Sequence, residues 1–506
     1  MKKYLVIILI VVFTLITISC EDFLNSASEG KKKSKNFWAW DYTKSPVASY
    51  SISAELLASN ELCEVWVEKG SGVSAQQAKS VAEEYKNVVY VRMMKFLGWQ
   101  TTDGYNVMDI ADLLGDGNEK LIILLLDIKD GYETKEDAYV AGYFYARNFI
   151  EAADSNLSDM IYMDTYPSKV GSEEFYSTLA HEMQHLINFV TTAMLRSEID
   201  NNGYITELYF MDTWIDEGLS AAAEWVYLGK PDENRIQWYN LDRTGLISEG
   251  DNFYVWDNHR DIPNAIINEY ATVSLFFQWL RLQFKDDIYY KILISEDSDY
   301  KAVEKAVKET HSYNWSELIG TWHAANFVNN ASSIYGYKDD SLLKKVKANY
   351  IDNKTTSWPL YPGEAVYSYS SAGRTLPANS QHIRYSGMST TSVLSNVPAG
   401  GALLAYNIDT GYGADGKSPA VGSGTTTGNT PPKKSILNQE SSADSRALGA
   451  NVSAGSNRID AGDIIRRNGV VHSNSSRSIE VKEVKEVKQL PKISRENITR
   501  YNASNE

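Results

Sequence analysis

The sequence predicts an α+β fold, in which a sheet-forming first third gives way to a helical middle. Three observations carry that reading. Short apolar runs separated by turn residues recur as far as Asp164. Helical spacing begins at Ser172 and persists, mostly unbroken, to about Asn329. Beyond about Tyr335, short strand-like runs alternate with Gly, Pro, Ser and Asn. The 506 residues are 43% hydrophobic, enough to build a sizeable core. A net charge of −16 argues against a nucleic-acid partner, because phosphate binding needs clustered Lys and Arg. Two cysteines exclude a disulfide framework.

Residues 1–19 read as a signal peptide: Lys2 and Lys3 precede apolar Tyr4 to Ile16, then Thr17-Ile18-Ser19-Cys20. A cysteine there resembles the lipobox of bacterial lipoproteins, although Thr17 stands where such boxes usually carry Leu. The resemblance implies lipidation at Cys20 and a membrane tie through that lipid. It implies a place in a bacterial cell envelope, at the outer membrane, cell surface or periplasm. No later stretch approaches the ~20 apolar residues that span a bilayer. Residues 20–36 read as a polar tether, and the fold is expected to start at Phe37.

The main domain is expected over residues 37–334. Ser51–Ala58 and Cys63–Glu68 suggest strands, and Ser74 suggests the cap of a helix reaching Leu97. Gly115-Asp116-Gly117-Asn118 marks a turn and lacks the alternating oxygen ligands of a calcium loop. The continuous aliphatic run Leu121–Ile128 predicts a buried strand, followed by strands at Tyr139–Tyr145 and Asp159–Asp164. A small β-domain is expected over 335–480, with strands near Ala365–Ser370, Gln381–Tyr385 and Ala402–Ile408 and a flexible loop at 411–432. Residues 481–506 read as a charged tail, disordered or at most a weakly formed edge, because the Glu-Val-Lys repeat that opens it matches neither helix nor strand well.

The informative stretch is Ala180-His181-Glu182-Met183-Gln184-His185, which contains His-Glu-x-x-His. On a helix, residues four apart share a face, so His181 and His185 can hold one metal ion. Glu182, about 100° round from His181, can reach a water at that metal without ligating it. Ser172 can cap this helix, with Glu173 and Glu174 at the positive end of its dipole. Measured from Phe175, the apolar residues fall between roughly 20° and 120°, and the histidines near roughly 240° and 280°. The helix therefore packs one side and presents the histidines from the other. With seven histidines in the chain, chance gives about 0.007 such motifs, so a third ligand is needed to carry the reading.

Candidates follow in Thr213-Trp214-Ile215-Asp216-Glu217-Gly218, on a second helix capped by Asp212 or Thr213 and ended by Gly229. Glu217 and Glu224 are seven apart and share a face, while Asp216 points elsewhere. Trp214, Ile215, Leu219 and Trp225 make this segment look buried, and a buried carboxylate needs a cation such as Zn²⁺.

His-Glu-x-x-His followed by Trp-x-x-Glu-Gly resembles the gluzincins, metallopeptidases with two His ligands and one Glu. The chain is most similar to their hyicolysin family, over roughly residues 60–330. The resemblance takes in Cys63–Glu68, Gly115–Asn118, Asp127–Tyr132, Met163–Pro167, Ala180–Phe189 and Trp214–Ser220. It implies a sheet lobe and a helical lobe, one catalytic Zn²⁺, and a peptide or protein substrate. It implies His181, His185 and Glu217 as ligands and Glu182 as general base. Asp216 departs from the Asn that gluzincins often carry, and Glu224 fits no ligand position. Asn268–Phe277 looks like the family's next helix, making Tyr270 the candidate oxyanion donor and His259 the reserve. His311, His323, His382 and His472 read as structural. The rival reading is a non-catalytic binding lipoprotein, since Ser19-Cys20-Glu21-Asp22-Phe23-Leu24 looks like the start of glycan-capturing surface lipoproteins.

Overall fold

A computed structural model describes residues 33–134, 139–149, 152–199, 205–256, 259, 262–349, 360–410, 458–459, 478–480 and 493–502. The signal segment with Cys20, the 411–432 loop, His472 and residues 481–492 lie outside the described residues.

Strands β1 (Ser34–Asp41) and β2 (Ala48–Ser59) pair antiparallel, and β2 pairs antiparallel with β3 (Cys63–Glu68). The first strand thus starts at Ser34, inside the stretch expected to be tether, because Ser34 to Asn36 find backbone partners opposite Ser53 to Glu55. Ser74 caps helix α1 (Ala75–Glu84) through a capping box with Gln77. The expected single helix is interrupted by a π-helical segment, Tyr85–Val89, before α2 (Tyr90–Leu97). After β4 (Trp99–Thr101), Asn106 caps α3 (Val107–Leu114), and β5 (Leu121–Leu126) follows.

Strand β5 explains its own sequence. Leu121, Ile123 and Leu125 enter the helical core, while Ile122, Leu124 and Leu126 join Phe37, Trp66, Tyr143 and Tyr162 on the other face. A strand covered on both faces needs an unbroken apolar run. It pairs parallel with β3 on one side and with β8 (Met160–Asp164) on the other. Short β6 (Tyr139–Val140) precedes β7 (Gly142–Phe144), which pairs antiparallel with β8 and ends the sheet order β1-β2-β3-β5-β8-β7.

The helical part begins with α4 (Glu173–Leu195), capped by Ser172, whose hydroxyl accepts from the Phe175 amide. A hairpin of β9 (Ser197–Ile199) and β10 (Ile205–Tyr209), missed by the helical reading, leads to α5 (Thr213–Leu228). Gly229 ends α5 in the left-handed region, at φ 70°. Then come α6 (Glu233–Leu241), α7 (Ile266–Phe284), α8 (Ile288–Leu293), α9 (Tyr300–Lys308) and α10 (Trp315–Val328). Strands β11 (Ala365–Ser370), β13 (Ile383–Met388), β14 (Val393–Leu394) and β16 (Gly401–Asn407) form a second sheet. Beside it, β12 (Arg374–Thr375) pairs with β15 (Asn396–Val397). Ala365, Tyr367 and Leu404 of the second sheet pack against Ala324 and Val328 of α10.

The distal chain returns to earlier elements. β17 (Arg458–Ile459) pairs with β6, β18 (Ser478–Glu480) with β10, and β19 (Ile498–Arg500) with β4. The tail expected to be disordered or at most a weak edge therefore supplies a short strand, with Ile498 buried. The unfilled edge of β4 provides the hydrogen-bond partners, and nothing in the local sequence signals that.

Candidate metal centre

Two helices build the centre. The apolar stripe of α4 enters the core, as the periodicity predicts, but its histidine face is covered as well, by α5. His181, Glu182, His185 and Glu217 are all buried. Gly218 permits the packing of α5: a Cβ there would lie 2.1 Å from Cε2 of Phe277 on α7. That close approach seats Glu217 toward the histidines.

Glu217 Oε2 lies 3.4 Å from His181 Nε2 and 3.5 Å from His185 Nε2. Ligands at about 2.0–2.1 Å around a tetrahedral zinc sit about 3.4 Å apart, so both distances from Glu217 Oε2 match the spacing of two corners. His181, His185 and Glu217 thus form a buried set that could hold one ion, their ligand atoms lying within 4.8 Å of one another.

The remaining ring nitrogens are held in place. His181 Nδ1 lies 2.9 Å from Glu224 Oε1, and His185 Nδ1 lies 3.0 Å from Asp216 Oδ1. Ionised carboxylates only accept, so both Nδ1 atoms carry the proton and both Nε2 lone pairs face Glu217. Each carboxylate is anchored in turn. Arg235 of α6 grips Glu224 with Nε at 3.1 Å and a terminal nitrogen at 2.6 Å, the paired geometry of a guanidinium on a carboxylate. Asn188 Nδ2 donates to Asp216 at 2.7 Å, and buried Arg196 donates to Asn188 Oδ1 at 3.4 Å. Burial pushes the Arg196 guanidinium down to about 9 against the opposing pull of Asp216 and Asp297. Sequence reasoning left the role of Asp216 open, gave Glu224 no ligand position and at most a place behind the ligands, and missed Arg235. The shared face of Glu217 and Glu224 was the available signal for Glu224.

Glu182 follows His181 and runs beneath the edge strand β7; a Cβ at Gly142 would lie 3.2 Å from its Cγ. Tyr270 on α7 is buried, with its ring 6.4 Å from that of His181 and the Arg235 guanidinium 5.3 Å from its centroid. His259, the reserve donor, sits beside Asp251 instead, Nε2 to Oδ1 being 3.7 Å. His323 is buried with Nε2 2.9 Å from the Gly363 carbonyl, and burial lowers its pKa to about 4, a structural setting.

The chain is 31% identical over 295 residues to neutral metalloprotease ShpI of Staphylococcus hyicus. The likeness supports a metallopeptidase. It covers 56% of this chain and 61% of that relative, so the chain spans less than two thirds of the relative's length. No family profile matches the chain. Among the described residues, no helix is long and apolar enough to cross a membrane.

Proposed function

We propose that the chain is a zinc-dependent peptidase of the gluzincin type, akin to the hyicolysins, acting on peptides or proteins. The observation that carries this is the spacing of the two Nε2 atoms from Glu217 Oε2, 3.4 and 3.5 Å, with both Nδ1 atoms committed to carboxylates. A zinc ion held there would acidify water and polarise the scissile carbonyl. Glu182 takes the proton from the attacking water and delivers it to the leaving amine. Its buried position keeps bulk water from competing for that proton. Tyr270 donates its hydroxyl to the developing oxyanion, and the Arg235 guanidinium against its ring helps hold it in place. The proposal extends to the leader: export through residues 1–19 and lipid attachment at Cys20 would tether the enzyme to a cell envelope. A purely binding lipoprotein has no need of two histidines oriented by two further carboxylates.

Glu182→Gln tests the reading, because it removes the base and no ligand. Zinc content and melting temperature should match the wild type while casein cleavage falls about 10²–10⁴-fold. Equal cleavage by both proteins would refute the assignment.

A further inference from the structure

A second group of metal-binding side chains lies outside the centre just described. Asp251, His259 and Glu364 each offer one ligand atom, and these atoms lie within 4.8 Å of one another. All three residues are buried, at 4%, 8% and 2% exposure. They come from separate parts of the chain: two from the connection between α6 and α7, one from the turn leading into β11.

We propose that Asp251, His259 and Glu364 bind a second divalent transition ion, Zn²⁺ or Mn²⁺, which fastens the β11 turn to the connection before α7. The donor chemistry selects the ion. One imidazole with two carboxylates suits zinc or manganese, whereas calcium and magnesium take oxygen ligands alone. If both carboxylates were ionised, they would repel each other this close and this buried, and a divalent cation would cancel both charges.

The surrounding hydrogen bonds orient the carboxylates as such a site requires. Asp251 turns Oδ1 toward His259 Nε2 at 3.7 Å, while its Oδ2 accepts from Asn268 Nδ2 at 3.1 Å. Asn268 is itself fixed, its Oδ1 accepting from Trp238 Nε1 at 2.8 Å. Glu364 Oε2 accepts from the Tyr361 amide at 2.8 Å. Each carboxylate thus has one oxygen fixed by a neighbour. The backbone brings the two parts together: the Ala365 amide donates to the Gly250 carbonyl at 3.3 Å, and Asn252 Nδ2 donates to the Gly363 carbonyl. Gly250, at φ +113°, lets the turn come this near, since a Cβ would lie 2.8 Å from Leu360 Cδ2. The ion's role is structural. It joins the second sheet to the start of the helix that carries Tyr270.

The test uses the full chain carrying His185→Ala, which disables the first centre. The chain is loaded with Zn²⁺, exchanged into metal-free buffer and measured by mass spectrometry. The expected result is one zinc per chain, lost in His185→Ala/His259→Ala and held at least tenfold more weakly in His185→Ala/Asp251→Asn. Chelation should lower the melting temperature of His185→Ala, and its zinc absorption edge should report one nitrogen and two oxygens at about 2.0–2.2 Å. That spectroscopic result stands even if the His259 variant does not fold. A folded His185→Ala chain that binds no zinc, or zinc retained unchanged after His259→Ala, overturns the site. The peptidase reading is judged separately, from cleavage by the wild type and Glu182→Gln.

Discussion

Glu224 never touches the proposed ion, yet it sets which nitrogen of His181 is available. Replacing it with Gln keeps the shape and an acceptor but removes the charge that fixes the tautomer and that Arg235 grips. Glu224→Gln should weaken zinc binding about 10–100-fold with little change of fold. Excess zinc in the assay should then restore much of the activity, which a purely catalytic defect would not allow. Tyr270→Phe makes the opposite prediction. Loss of an oxyanion donor should lower kcat about 10²–10³-fold, leaving KM and zinc content nearly unchanged. A tyrosine that only packs would cost about 1 kcal/mol of stability and leave turnover alone. At this scale the sequence was most legible where residues share a helix. The four-residue spacing of His181 and His185 is a local fact, as is the seven-residue spacing of Glu217 and Glu224. Arg235, Asp251 and Glu364 were invisible because their partners are brought close only by tertiary folding.

Helix α5 shows how an element delivers a ligand. Its sequence places Gly218 directly after Glu217, and Phe277 occupies the space a side chain would need. Gly218→Ala should push α5 from α7 and destabilise the fold by about 1–3 kcal/mol, read from the urea midpoint. Zinc affinity should fall with it, because Glu217 moves with the helix. Phe277→Leu in the same chain should recover part of both losses. Elements with strong end signals were readable: Ser74 and Ser172 cap where expected, and Gly229 stops α5. The continuous aliphatic run of β5 was readable too, since burial on both faces leaves no room for alternation. The β9–β10 hairpin was not, because strands this short between two long helices take their pairing from neighbours. The π-helical segment at Tyr85–Val89 likewise carries no local marker.

For the molecule as a whole, the division into an early sheet and a later helical part followed from composition and periodicity, and the returning strands did not. Backbone pairing across the length of a chain leaves no trace in a local window. Removing residues 493–506 should expose the edge of β4 and the apolar surface that Ile498 covers, costing at least about 1.5–3 kcal/mol. Equal urea midpoints for the full and shortened chains would show that this strand contributes nothing. The same pairing bears on the order of assembly. Every side chain of the first metal centre lies between His181 and Tyr270, whereas β4 must wait for Ile498. A chain made from its N-terminus can gather the two zinc helices while β19 has not yet been synthesised. Closing so long a loop is slow, so the docking of β19 would come well after the metal-binding helices have met.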